Sequence, residues 1–110
     1  MDKFMYDEYT DSVIIANKQK TDKVEGSVKI GDIILDMTKE GKIVGLEIRH
    51  ATDFFKECNI EADARDIISA DFTAKQNPDN IIILLHMQFK EREETVPLYL
   101  STEAPMQVIA

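Results

Sequence analysis

Asp32-Ile33-Ile34-Leu35-Asp36-Met37-Thr38-Lys39-Glu40-Gly41-Lys42-Ile43-Val44-Gly45-Leu46-Glu47-Ile48-Arg49 holds two runs rich in branched apolar residues, joined by the polar connector Thr38–Lys42. Such runs favour extended backbone. Gly41 supplies the left-handed position that closes a type I turn with a bulge, so the stretch reads as a β-hairpin. With Lys39, Glu40 and Gly41 as the loop, side-chain alternation places Ile34, Val44, Leu46 and Ile48 on one face and Ile33, Leu35, Met37 and Ile43 on the other. Both faces are then apolar, and each needs a cover: a helix, a second sheet or another subunit.

The flanking sequence supplies the candidates. Phe4–Tyr6 and Ser12–Ala16 form a second hairpin around the polar stretch Asp7–Asp11, and Asn17–Lys23 is a loop. Val24–Ile30 alternates as a half-buried strand in which Gly26 marks a bulge. After the central hairpin, Ala51, Phe54, Phe55 and Cys58 recur at helical spacing, with Thr52 as N-cap and Asn59 as stop; one short amphipathic helix over about 52–58 is expected to cover one hairpin face. Ile68, Ala70, Phe72 and Ala74 alternate up to the turn Asn77-Pro78-Asp79-Asn80. Ile81–Phe89 is nearly all apolar, as in a central strand, and Thr95–Ser101 carries Pro97, which removes a ladder donor and makes it an edge or bulged strand. These three form a C-terminal meander within 60–103, and 104–110 is a tail or a short docking strand. The fold class is α+β and strand-dominated, a single domain over 1–110.

At 110 residues, with 44% hydrophobic and 31% charged residues, the chain is long enough for one modest core. The longest apolar run, Ile81–Leu85, is far short of a membrane span, and the start Met1-Asp2-Lys3 is no signal segment. A cytoplasmic protein without membrane association is expected. Cys58 is the single cysteine, which excludes an intramolecular disulfide and suits a reducing compartment. Twenty-one acidic against thirteen basic residues give a net charge of −8, which repels phosphate backbones, so no nucleic-acid partner is expected.

Tyr6-Asp7-Glu8, Asp11, Val13 and Ile15, followed by Gly31-Asp32-Ile33-Ile34-Leu35-Asp36, by Gly41-Lys42-Ile43-Val44-Gly45-Leu46-Glu47-Ile48 and by Ala51-Thr52, resemble the small prokaryotic domain of unknown function 2283. That family's pattern opens on Y-D-x-x-x-D, continues through a G-I-I-L-D and G-K-I-V-G-I-E-I hairpin and closes on A-S. The resemblance runs from Phe4 to about Phe55, with Thr52 in place of Ser, His50 in place of Asn and Ile14 in place of Tyr. It implies strands followed by a short helix and brings no established activity. An antitoxin-like role, binding a small partner protein through an edge strand, is what the resemblance implies.

Candidate sites are few. Asp36 and Glu47 stand on the two hairpin arms, where paired carboxylates serve acid–base chemistry or hold a hard cation. The register above sends them to opposite faces, so their expected roles are structural, Asp36 bonding turn amides and Glu47 meeting Lys or Arg. Gly41 and Gly45 are structural too, Gly45 marking a close backbone approach or a bulge. Asp7, Glu8 and Asp11 make an acidic turn without the spacing of a calcium loop. His50, Asp53 and Glu57 are the weak metal candidates at the strand-to-helix junction; His86 is expected to be a hydrogen-bonded sheet histidine and Cys58 a packed thiol. No residue is assigned as catalytic and no cofactor is expected. The expected function is a non-enzymatic interaction module that self-associates, most simply as a dimer, because both hairpin faces and Ile81–Phe89 offer more apolar surface than one short helix covers. The alternatives are the antitoxin-like binder and a small metal-dependent hydrolase built on His50, Asp53 and Glu57 or on the acidic turn.

Overall fold

The computed structural model describes residues 3–101 and the backbone of 107–109. Strand β1 (Phe4–Asp7) pairs antiparallel with β2 (Ser12–Ala16), and β3 (Val24–Ile30) with β4 (Ile33–Thr38); β5 (Ile43–Ile48) joins the two hairpins by pairing with both β2 and β4. Helix α1 (Ala51–Glu57) and a 3-10 turn (Ala64–Asp66) follow, leading to β6 (Ser69–Gln76), β7 (Asn80–Gln88) and β8 (Glu93–Ser101). The last three are the antiparallel C-terminal meander, with β7 at its centre. The ladder of β3 slips at Gly26. Pro97 lies on β8, an edge strand of the three-stranded sheet. Strand β9 (Gln107–Ile109) docks on β3, giving the other sheet the order β1-β2-β5-β4-β3-β9; residues 104–106 and 110 of the expected tail or docking strand lie outside the described residues.

The hairpin turn forms where glycine permits it. Gly41 has φ 87°, its N–H donates to the Thr38 carbonyl at 3.0 Å, and the Thr38 hydroxyl accepts from the Lys42 amide at 3.1 Å. Two residues beyond, the register departs from simple alternation. Met37 pairs with Ile43 but Asp36 pairs with Gly45, so Val44 is an extra residue in β5. A bulge shifts side-chain parity by one position. Ile33 and Leu35 therefore lie opposite Ile48 and Leu46, on one face, and Ile34 and Asp36 lie opposite Glu47 and Gly45, on the other. The expectation of two apolar faces is corrected by this one residue. The first face is buried, whereas Ile34, Asp36 and Glu47 are half-buried.

Helix and meander also share a face rather than dividing the two. Ala51 and Phe55 of α1, Leu46 and Ile48 of β5, Ile83 and Leu85 of β7 and Phe89 beyond it belong to one cluster of buried residues. Phe55 meets Phe89 edge-on with ring centroids 6.3 Å apart. The two sheets thus enclose one apolar layer, with α1 closing its end. Val13, Ile15, Leu35, Ile83 and Leu85 are fully buried, and burial of each such side chain stabilises the fold by about 1.5–3 kcal/mol. Ile68 departs from its expected inward position and is exposed.

The sheets are also fastened by polar contacts. Asn17 Nδ2 donates to the Phe72 carbonyl at 2.6 Å, and Gln76 Nε2 to the Gly41 carbonyl at 2.7 Å.

Gly45 fills its place for lack of a side chain. A Cβ there would stand 2.7 Å from Asp36 Oδ2 and 3.0 Å from Asp36 Cβ. Gly45→Ala is expected to destabilise the protein by about 1–3 kcal/mol in urea unfolding. Combining it with Asp36→Ala should recover part of that loss, because the carboxylate is removed while the Cβ contact stays.

Candidate functional site

The acidic turn between β1 and β2 is the most heavily bonded polar point among the described residues. Asp11 takes φ 51°, which turns its carboxylate toward the start of α1. The Tyr6 hydroxyl donates to Asp11 Oδ1 at 2.6 Å, the Thr52 hydroxyl to the same oxygen at 2.9 Å and the Thr52 amide to Oδ2 at 3.0 Å. The Asp11 carbonyl accepts from the Ala51 amide at 2.8 Å. Asp11 thus caps α1 from a distant turn, satisfying amides left without intrahelical partners. Thr52 is not the N-cap: His50 holds that position, left-handed at φ 53° and without a side-chain cap bond. At the far end Asn59, at φ 57°, stops the helix as expected, its amide bonding the Lys56 carbonyl at 3.1 Å and the Ile60 amide the Phe55 carbonyl at 2.9 Å.

Burial works against ionisation of Asp11, but the hydrogen bonds from Tyr6 and Thr52 outweigh it and hold the carboxyl below its ordinary value of 3.8. The same bond to Asp11, together with burial, raises the Tyr6 phenol. Asp11 is therefore an anionic cap and no proton donor at neutral pH. Nearby, hydrogen bonds from the Arg65 side chain and amide hold Asp63 at about 2, and Arg65 reaches Glu8 at 3.6 Å.

The other candidates disperse. His50 Nδ1 lies 3.1 Å from Asp32 Oδ1, and no ion pair joins it to Asp53 or Glu57 among the described residues. No three His, Cys, Asp or Glu side chains among the described residues gather closely enough to hold a metal ion. Asp36 and Glu47, expected on opposite faces, share one because of the Val44 bulge. Asp36 accepts from the Ser27 hydroxyl at 2.5 Å instead of from turn amides, and no ion pair joins Glu47 to Lys or Arg among the described residues. Cys58 is half-buried, and burial, then the Glu57 charge, raises its thiol. It is a poor nucleophile at neutral pH.

Residues 3–51 match the family described as protein of unknown function (DUF2283). No curated protein and no solved structure matches the chain. The DUF2283 segment contains the whole β1-β2-β5-β4-β3 framework, and its Tyr6, Asp11 and closing Ala51 are brought together at the helix cap. The bond network extends one residue past the match, to Thr52. The meander lies outside the DUF2283 match.

It is the meander that carries the conspicuous surface. Across its outward face run three rows: Asp71–His86–Thr95, then Thr73–Leu84–Pro97, then Lys75–Ile82–Tyr99. Leu84 is 38% and Tyr99 69% exposed, Pro97 is exposed and Ile82 half-buried. Strand alternation makes this patch legible in principle, since Ile82 and Leu84 have the parity opposite to buried Ile81, Ile83 and Leu85. Beside it opens a groove of about 730 Å³ lined by Lys3, Asp71, His86, Gln88, Glu93 and Thr95, among others. There His86 Nδ1 lies 3.2 Å from the Thr95 hydroxyl, as expected of a hydrogen-bonded sheet histidine, and Asp71 pairs with Lys3 at 3.7 Å. A hydroxyl beside an imidazole is the start of a nucleophilic pair, but among the described residues no carboxylate bonds the His86 ring to orient it.

Removing the Asp11 cap tests the junction. Asp11→Asn should destabilise the protein by about 1–3 kcal/mol at pH 7. Because the folded carboxyl titrates below its unfolded value, its contribution is complete above that value and fades as pH falls through the folded one. The gap between wild type and Asp11→Asn in urea unfolding is therefore expected to be constant from pH 5 to 7 and to shrink below pH 4.

Proposed function

We propose that the chain is a non-enzymatic interaction module that self-associates through the outward face of its C-terminal meander. The observation that carries this reading is the contiguous patch formed by Ile82, Leu84, Pro97 and Tyr99, with Leu84 and Tyr99 both open to solvent. Apolar and aromatic side chains grouped on one face of a sheet are what a binding surface requires, and Tyr presents large contact area at small entropic loss. The hairpin's outer face supports the reading less well. Its Ile14 and Ile34 are half-buried and stand beside Glu47 in the register, so association there would bury a carboxylate.

The face is small. Three strands of eight or nine residues span about 30 Å by roughly 14 Å, so two copies would bury on the order of 800–900 Å² in total, at the low end for specific association. A weak, concentration-dependent dimer is the expected form. The antitoxin-like binder and the metal-dependent hydrolase have no comparable observation of their own in their favour.

Sedimentation equilibrium up to roughly millimolar protein is expected to show reversible dimers, and Leu84→Glu to leave monomers with an unchanged melting temperature. A wild-type chain that stays strictly monomeric over that range contradicts the proposal.

A further inference from the structure

Resting on that reading of the meander face, we infer that its occupant is a second copy of this chain, docked about a two-fold axis that runs across the strands, with Lys75 of each copy against Asp71 of the other. The charge pattern on the face supplies the argument. Lys75 and Asp71 both lie on β6, one row to either side of the Thr73–Leu84–Pro97 row. Rows on one face are spaced about 7 Å along a strand.

Two in-plane two-fold axes keep the strands of facing sheets aligned, one along the strands and one across them. An axis along β7 lays β6 over the partner's β8, so Lys75 meets Tyr99 and Asp71 meets Thr95, and neither charge is answered. An axis across the strands through the central row keeps β6 over β6 and reverses its direction. Each Lys75 then faces an Asp71, twice by symmetry, while Leu84 and Pro97 meet their own copies at the centre. Of the two orientations only this one answers both charges, and it sets Ile82 and Tyr99 over His86 and Thr95 of the second copy.

Among the described residues nothing holds these two charges strongly. Asp71 has Lys3 at 3.7 Å with both side chains about half exposed, 49% and 53%, a contact worth little in water. No ion pair of Lys75 occurs among the described residues. Their exchange into an intersubunit pair therefore breaks no buried interaction. Opposed charges at the rim fix orientation, and like charges there penalise the wrong one.

Charge reversal tests the orientation, with dimerisation read by sedimentation equilibrium. Lys75→Glu and Asp71→Lys should each weaken the dimer about tenfold, since each change turns two attractive pairs into two repulsive ones. The combined Lys75→Glu/Asp71→Lys protein should recover affinity to within about threefold of wild type. Circular dichroism melts check that each variant folds. In a Cys58→Ser background, a mixture of Lys75→Cys and Asp71→Cys chains should form a mixed disulfide under mild oxidation, and Lys75→Cys alone should not. A wild-type dimer whose affinity ignores both single reversals, or one that cross-links through Lys75→Cys alone, overturns the orientation and leaves self-association standing. A chain that never dimerises overturns both.

Discussion

Val44 has no partner in the β4–β5 ladder, and the placement of the whole core follows from that. With it, Ile33, Leu35, Leu46 and Ile48 point to the same side, where α1 and the meander cover them. Without it, side-chain alternation after the turn would put Leu46 and Ile48 back to back with Ile33 and Leu35, and the sheet would need two covers. The bulge converts a hairpin that is apolar along both arms into one with a single buried face. Gly45 follows from the same shift, since the position after the bulge lies under the Asp36 carboxylate and has no room for a side chain.

The second constraint joins that framework to the helix. α1 is only seven residues long, too short to hold itself together in water. Its stability comes from the burial of Ala51 and Phe55 and from the cap that Asp11 lends across the fold. Tyr6, Asp11 and Thr52 belong to a scaffold: the carboxylate is held ionised by three donors and is spent on the helix start. The DUF2283 match over residues 3–51 thus coincides with the bulged hairpin and most of the parts that dock its helix. What distinguishes the chain beyond that match is the meander, whose inner face completes the core and whose outer face stays open.

Local chemistry was readable in the sequence wherever it acts within a few residues. Gly41, Asn59 and Pro97 mark the turn, the helix stop and the edge strand that they do in the structure. The three-stranded meander followed from alternation alone. Two features were not readable, each for a physical reason. A bulge such as that at Val44 leaves no composition signal, because Val suits a regular strand equally well. The cap on α1 joins residues 41 apart, and Asp11 in isolation looks like one more acid in a polar turn. Thr52, read as an N-cap, has the right type and the wrong role: it donates to the cap. Asp36 and Glu47 come to one face only through the bulge, and His50, Asp53 and Glu57, spread from the N-cap to the last residue of α1, form no shared centre among the described residues.

The central question is which face of the molecule meets another copy. Amide chemical shifts recorded by two-dimensional NMR at a series of dilutions test this most directly. Concentration-dependent shifts are expected on β6–β8 around Thr73, Leu84 and Tyr99, with those of β2, β4 and β5 unchanged. Shifts centred instead on Ile14, Ile34 and Glu47, or none at concentrations where dimers form, would contradict it.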